Sequence, residues 1–251
     1  GTALAGSLAG ANVFLGYNAG AAATTVGNAI AIGREAMSGG NVQGAGGAEA
    51  SFSIAIGRES LNALTSGAGN IAIGYQAGDA ITTGAKNTVL GYGALGLDDV
   101  GDLSTAVGYT ALALQNSAGG SNVNTWNTAV GFAAGINNVT GVQNTSIGAR
   151  AGGGATHAAG HSQNTALGVD ALLSVTTGSQ NVVIGVYAGD LLSTSGNNVL
   201  IGHNSGTAIA AGQTTTDGTV AVGHSALAAL TSGAGNVAIG YQALDATATS
   251  D

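Results

Sequence analysis

The chain of 251 residues holds 46 glycines, no proline and no cysteine, and only 4% of it is aromatic and 6% charged. That inventory argues against a globular enzyme core filled with Phe, Leu and Trp, and its Ala, Val and Ile suit thin, closely spaced layers instead. Twelve acidic residues against four basic ones, a net charge of −8, leave no clustered Lys and Arg for nucleic acid or for an anionic membrane surface.

Read from the N-terminus, the chain repeats one phrase: an aliphatic stretch, a glycine, two free positions, then Ala or Ser, as in Ile71-Ala72-Ile73-Gly74-Tyr75-Gln76-Ala77. The anchor glycines are Gly16, Gly33, Gly57, Gly74, Gly91, Gly108, Gly131, Gly148, Gly168, Gly185, Gly202, Gly223 and Gly240. Their spacing is 17 residues wherever it is not lengthened, so each exception is an insertion. A fixed period with insertions marks a stacked array, in which one unit buries its apolar face only against its neighbours. The expectation is an all-β fold, a parallel β-solenoid or β-roll of about 13 coils on a 17-residue base repeat, with residues 1–251 as a single repeat array.

Each coil reads the same way. The residue before the anchor is Leu, Ile or Val, and the residue two earlier is Val, Ile or Thr, all β-branched, which predicts a five-residue strand with that side buried. The position between them is mostly Ala, as at Ala72 and Ala106, and points to the opposite face. A strand apolar on both sides is covered on both sides, so the Ala face is expected to pack on other copies of the chain. A charge at Ala106 would then block assembly. A second, shorter strand is expected after each anchor, as at 79–83 and 190–194, closing in a Thr/Ser-Gly turn. Asn lies four residues before the anchor in nine coils, among them Asn70 and Asn87, which predicts a stacked amide ladder with Asn in the left-handed region. With Gly74, Gly91 and Gly108, where the backbone needs positive φ or close approach, these are structural positions.

The phrases Asn127-Thr128-Ala129-Val130-Gly131, Asn70 through Gly78 and Asn236 through Leu244 resemble the head repeats of YadA-like trimeric autotransporter adhesins, and more closely the related repeats of bacteriophage tail fibres. The resemblance covers the whole chain. It implies a left-handed roll wound as a homotrimer, a rigid shaft that holds an attachment surface away from a cell or virion, and an extracellular or virion location. The 17-residue coil, longer than is usual in adhesin heads, favours the phage fibre, with a bacterial surface adhesin or another extracellular filament as the alternative. The pattern stops in mid-phrase at both ends, which suits a segment of a longer fibre.

Recognition of a cell-surface glycan or protein is expected in the insertions near 38–53, 115–126, 152–163 and 207–219, since lengthened loops on a rigid scaffold are where binding is placed. Trp126 lies in one of them as an anchor for a sugar or protein, or as a plug under its own loop. His157 and His161, four apart in another, would need a third ligand to hold a metal. Tyr75, Tyr92, Tyr109 and Phe132 follow the anchor in consecutive coils and would stack as a ladder, a structural feature first and a carbohydrate platform second. His203 and His224 would stack in the same column. Arg34-Glu35 and Arg58-Glu59 form exposed ion pairs, and Asp98, Asp99 and Asp102 read as a solvated acidic turn before a cation site.

No phosphate loop, nucleophile elbow or cofactor motif is present, and no stretch reaches the roughly 20 apolar residues of a membrane span. A polysaccharide-cleaving tailspike would need paired carboxylates in an aromatic groove, and an ice-binding solenoid a Thr-x-Thr face on every coil. Neither pattern is met.

Overall fold

A computed structural model describes residues 11–21, 23, 26–39, 51–117, 122–154, 160–209 and 216–246. All regular structure among them is β. In chain order the strands are β1 (Val13–Leu15), β2 (Ile30–Ile32), β3 (Ile54–Ile56), β4 (Ile71–Ile73), β5 (Thr88–Leu90), β6 (Gly101–Asp102), β7 (Thr105–Val107), β8 (Val123–Asn124), β9 (Thr128–Val130), β10 (Thr145–Ile147), β11 (Thr165–Leu167), β12 (Val182–Ile184), β13 (Val199–Ile201), β14 (Val220–Val222) and β15 (Val237–Ile239). Thirteen of them, all but β6 and β8, form one parallel sheet in sequence order, which makes the chain a β-solenoid. Register follows the repeat: Ile54, Ala55 and Ile56 of β3 lie against Ile71, Ala72 and Ile73 of β4. The chain divides into two compact units, Gly1–Asn127 and Thr128–Asp251.

The strands have three residues, not five, because positive φ falls close on both sides of them. Lys86 at φ 60° and Gly91 at φ 142° bracket β5, and Gln180 at 62° and Gly185 at 137° bracket β12. At the anchors the reason for Gly is double. Besides the φ value, a Cβ on Gly74 would run into the carbonyl of Gly91, and one on Gly185 into that of Gly202. Positive φ recurs two and four residues after the anchor, for example at Arg150 and Gly152, so the chain turns sharply there. The positive φ expected at the ladder Asn lies one residue earlier.

The expected second strand does not form at 79–83 or 190–194. There, three successive N–H groups converge on one carbonyl of the next coil: Thr82, Thr83 and Gly84 on Asp99, and Thr176, Thr177 and Gly178 on Ser193. Convergence closes a turn, whereas a ladder needs one acceptor for every second residue. Among the described residues, β6 and β8 form the one sheet outside the main one, where Gly101 and Asp102 meet Val123 and Asn124 of an insertion.

The two faces of the strand are the reverse of the expectation. The central residues, Ala55, Ala72, Val89 and Ala106 in the first unit and Ala166, Val183, Leu200 and Ala221 in the second, are fully buried inside their own coil. Their neighbours point outward, partly or largely exposed, as Ile71, Leu90, Leu167 and Val182 show. The cause is volume. The coil interior is narrow and already holds Leu61, Leu64, Ile81, Leu95 and Leu112 in the first unit and Leu172, Val175, Leu192, Ile209, Leu227 and Leu230 in the second, so the strand can offer only small side chains inward. Leu200 is larger, and two glycines make its room: a Cβ on Gly189 or Gly206 would come within 3.0 Å of its methyl groups.

Candidate functional site

Among the described residues, the outward faces of the strands carry partly or largely exposed side chains on successive coils. Three columns build them: the residue three before the anchor, the residue before it, and the residue after it. In the first unit the column before the anchor runs Leu15, Ile32, Ile56, Ile73, Leu90 and Val107, and in the second Val130, Ile147, Leu167, Ile184, Ile201, Val222 and Ile239. Leu90 is 45% and Leu167 42% exposed. None of the three columns contains Asp or Glu, in a chain of net charge −8. The column before the anchor thus repeats an aliphatic side chain on coil after coil, while the two columns beside it also carry Thr88, Thr105, Arg34 and Arg58.

The column after the anchor carries the rings. Tyr75 and Tyr92 stack with centroids 4.9 Å apart, and Tyr92 and Tyr109 follow at 5.2 Å. Tyr92 therefore has both faces taken by neighbours and shows its edge to solvent. Sugar rings dock on open aromatic faces, so the ladder's middle is closed to that role. At its N-terminal end the Arg58 guanidinium lies 5.5 Å from the Tyr75 ring centroid and pairs with Glu59 at 2.8 Å. Gln76 also donates to Glu59 at 2.8 Å. These contacts hold Arg58 charged and keep the Glu59 carboxyl below its ordinary range, first through the hydrogen bond from Arg58 and then through that from Gln76. Arg34 pairs with Glu35 at 3.3 Å. A pair that sequence reading missed is Arg150 with Asp170, whose Nε donates at 2.7 Å to a nearly buried carboxylate.

The Asn column solves a backbone problem. The Oδ1 of Asn70 accepts from the backbone N–H of Asn87 at 2.9 Å, and its Nδ2 donates to the Gly84 carbonyl at 2.8 Å. Asn87 does the same for Ser104 and Gly101, each at 2.8 Å. In the second unit Asn144, Asn164, Asn181 and Asn198 continue the scheme, ending on the N–H of Thr219. Each amide thus pairs backbone groups that the short strands leave behind. This ladder is structural, buried and without access from solvent.

Of the other candidates, His157 lies outside the described residues. His161 is buried rather than displayed: its carbonyl accepts from Asn144 Nδ2 at 2.9 Å, and desolvation lowers its pKa to about 4. Trp126 is 51% exposed at φ 47°, on the corner position where Phe52 also stands out, so it does not plug a loop. Of the inserted segments, residues 40–50, 118–121, 155–159 and 210–215 lie outside the described residues. Asn122, in one of them, donates from Nδ2 to the Thr83 carbonyl at 2.9 Å.

Asp98 corrects the acidic-turn reading. It is fully buried and accepts from the N–H groups of Gly101 and Ser117 at 3.1 and 3.0 Å and from the Gln115 amide. Gln115 also donates to Ser104 and accepts from Asn127, each at 2.9 Å. The sequence signal for this knot was a column that turns from Leu64 and Ile81 to Asp98 and Gln115, seven residues after the anchor. Among the described residues no group of three or more His, Cys, Asp or Glu is placed to hold a metal ion.

No protein-family model, curated protein or solved structure matches the chain.

Proposed function

We propose that the chain is a structural and adhesive fibre segment whose copies pack together through the outward faces of their strands. The observation that carries this reading is the acid-free outer face, with an aliphatic residue before every anchor, on a fold whose interior is already filled within one chain. Covering that face is favourable at about 25 cal/mol per Å² of apolar surface removed from water. A second copy is the partner it fits. A strongly acidic chain can approach itself closely only through a face without acids, and an identical copy brings the same coil spacing, so ridges and gaps match along the contact.

Three copies, a phage tail fibre as the source and an extracellular or virion setting follow from the resemblance to tail-fibre and YadA-like repeats. In that setting the coils are a rigid scaffold, and the inserted loops near 38–53, 115–126, 152–163 and 207–219 present the surface for a glycan or protein on a host cell. Light scattering on the purified chain is expected to give a mass near three times the 23.6 kDa of one chain. A monodisperse monomer would remove the reading. Shortening the four loops to the 17-residue coil should abolish binding to cells while leaving that mass per chain unchanged in multiplicity.

A further inference from the structure

In the second unit the column after the anchor places His203 and His224 face to face, with ring centroids 5.0 Å apart and planes 15° from parallel. Tyr241 stacks on the far side of His224 at 5.3 Å, Tyr187 meets His203 edge-on at 6.2 Å, and the Ser225 hydroxyl lies 3.0 Å from His224 Nδ1. Both imidazoles are exposed on the outward face. The titratable groups facing the pair are thus the two tyrosines, and among the described residues neither imidazole has a carboxylate within 4.0 Å. Parallel planes argue against a shared metal, because an ion cannot lie in the plane of both rings at once.

We infer that this imidazole pair makes self-association of the outward face acid-labile. The inference rests on the assembly proposed above. Neutral rings stack and bury well. Two imidazolium ions one coil apart repel each other, and no acid on the face compensates them. In a separated chain water solvates both charges, whereas a covering copy removes that water, so proton uptake favours separation. Histidine is the side chain whose charge changes between neutral and mildly acidic solution, so those are the two conditions to compare. Each copy contributes its own pair, so the effect multiplies with the number of chains.

Sedimentation velocity on the full chain at about pH 8 and about pH 5 tests this, with association expected to weaken about tenfold or more at the lower pH. His203→Tyr combined with His224→Tyr keeps a stacked column of the kind Tyr75 and Tyr92 form, and should stay assembled at both pH values. The single change His224→Tyr should fall between, and stands in if the double variant does not fold. Circular dichroism at each pH shows that the coils persist, which separates dissociation from unfolding through the buried His161. An assembly indifferent to pH, or one whose wild-type and doubly substituted forms separate alike, overturns the acid-labile pair alone. A chain already monomeric at the higher pH overturns the assembly reading, and this inference with it.

Discussion

His161 stands seven residues before its anchor, where Gly67, Gly84, Gly141 and Gly178 stand in other coils, and there its imidazole is enclosed. Nδ1 lies 3.5 Å from the donating amide of Asn164, which leaves the ring proton on Nε2, and Nε2 finds no partner. Burial therefore favours the neutral ring and lowers its pKa to about 4. The unfolded chain binds this proton more readily, so the contribution is whole above about pH 6.5 and is lost as pH falls toward about 4, about 3 kcal/mol in all. Asp79 and Asp190 are raised by burial and act in the opposite sense, gaining stability in acid. Urea unfolding of the wild type against His161→Ser, the residue type found at Ser195 in the same column, isolates the histidine. The variant should lose the steeper acid dependence, and identical pH profiles would show that the imidazole is not the cause.

A coil is held to the next by its three-residue strand and by the buried amide beside it. Asn181 accepts from the N–H and the Nδ2 of Asn198, each at 3.0 Å, and donates to Asn164 and to the Ser195 carbonyl, also at 3.0 Å. Asn181→Ala orphans a buried N–H and a buried carbonyl at once, and urea unfolding should show a loss of about 3 kcal/mol or more. A loss under about 1 kcal/mol would mean that water replaces the amide. This ladder was legible in the sequence, as were the period, the anchors and the parallel register, because each coil poses the same steric and hydrogen-bonding problem, every one answering with Gly at the anchor and nine of them with Asn four residues earlier. The inward face was not legible from polarity, since Ile71, Ala72 and Ile73 are all apolar. Volume held the answer: only the small residue fits a lumen that Leu61 and Leu64 already fill. The second strand failed for a related reason, since hydropathy at 79–83 says nothing of three donors sharing one carbonyl. Asp98 and Gln115 were hidden because they break the repeat only once each.

For the molecule as a whole, the inversion of faces changes which surface the proposed assembly would use. Ala106 is fully buried in its own coil, so a charge there would damage folding before it could touch assembly. Neighbouring positions on β11 separate the two effects. Ala166 points inward among Ala151, Ala171 and Val183, whereas Leu167 points outward and is 42% exposed. Ala166→Lys places an unpaired ammonium in a closed interior and should cost several kcal/mol, seen as lost β signal and early melting. Leu167→Lys leaves the interior alone, so the melting of an isolated chain should shift by no more than about 0.5 kcal/mol in free energy. It does put one like charge per copy on the surface that the copies would share, where water is excluded and no acid answers it. Light scattering should then give a folded monomer for Leu167→Lys and an oligomer for the wild type. Full assembly of Leu167→Lys would place the contact on another face of the coil.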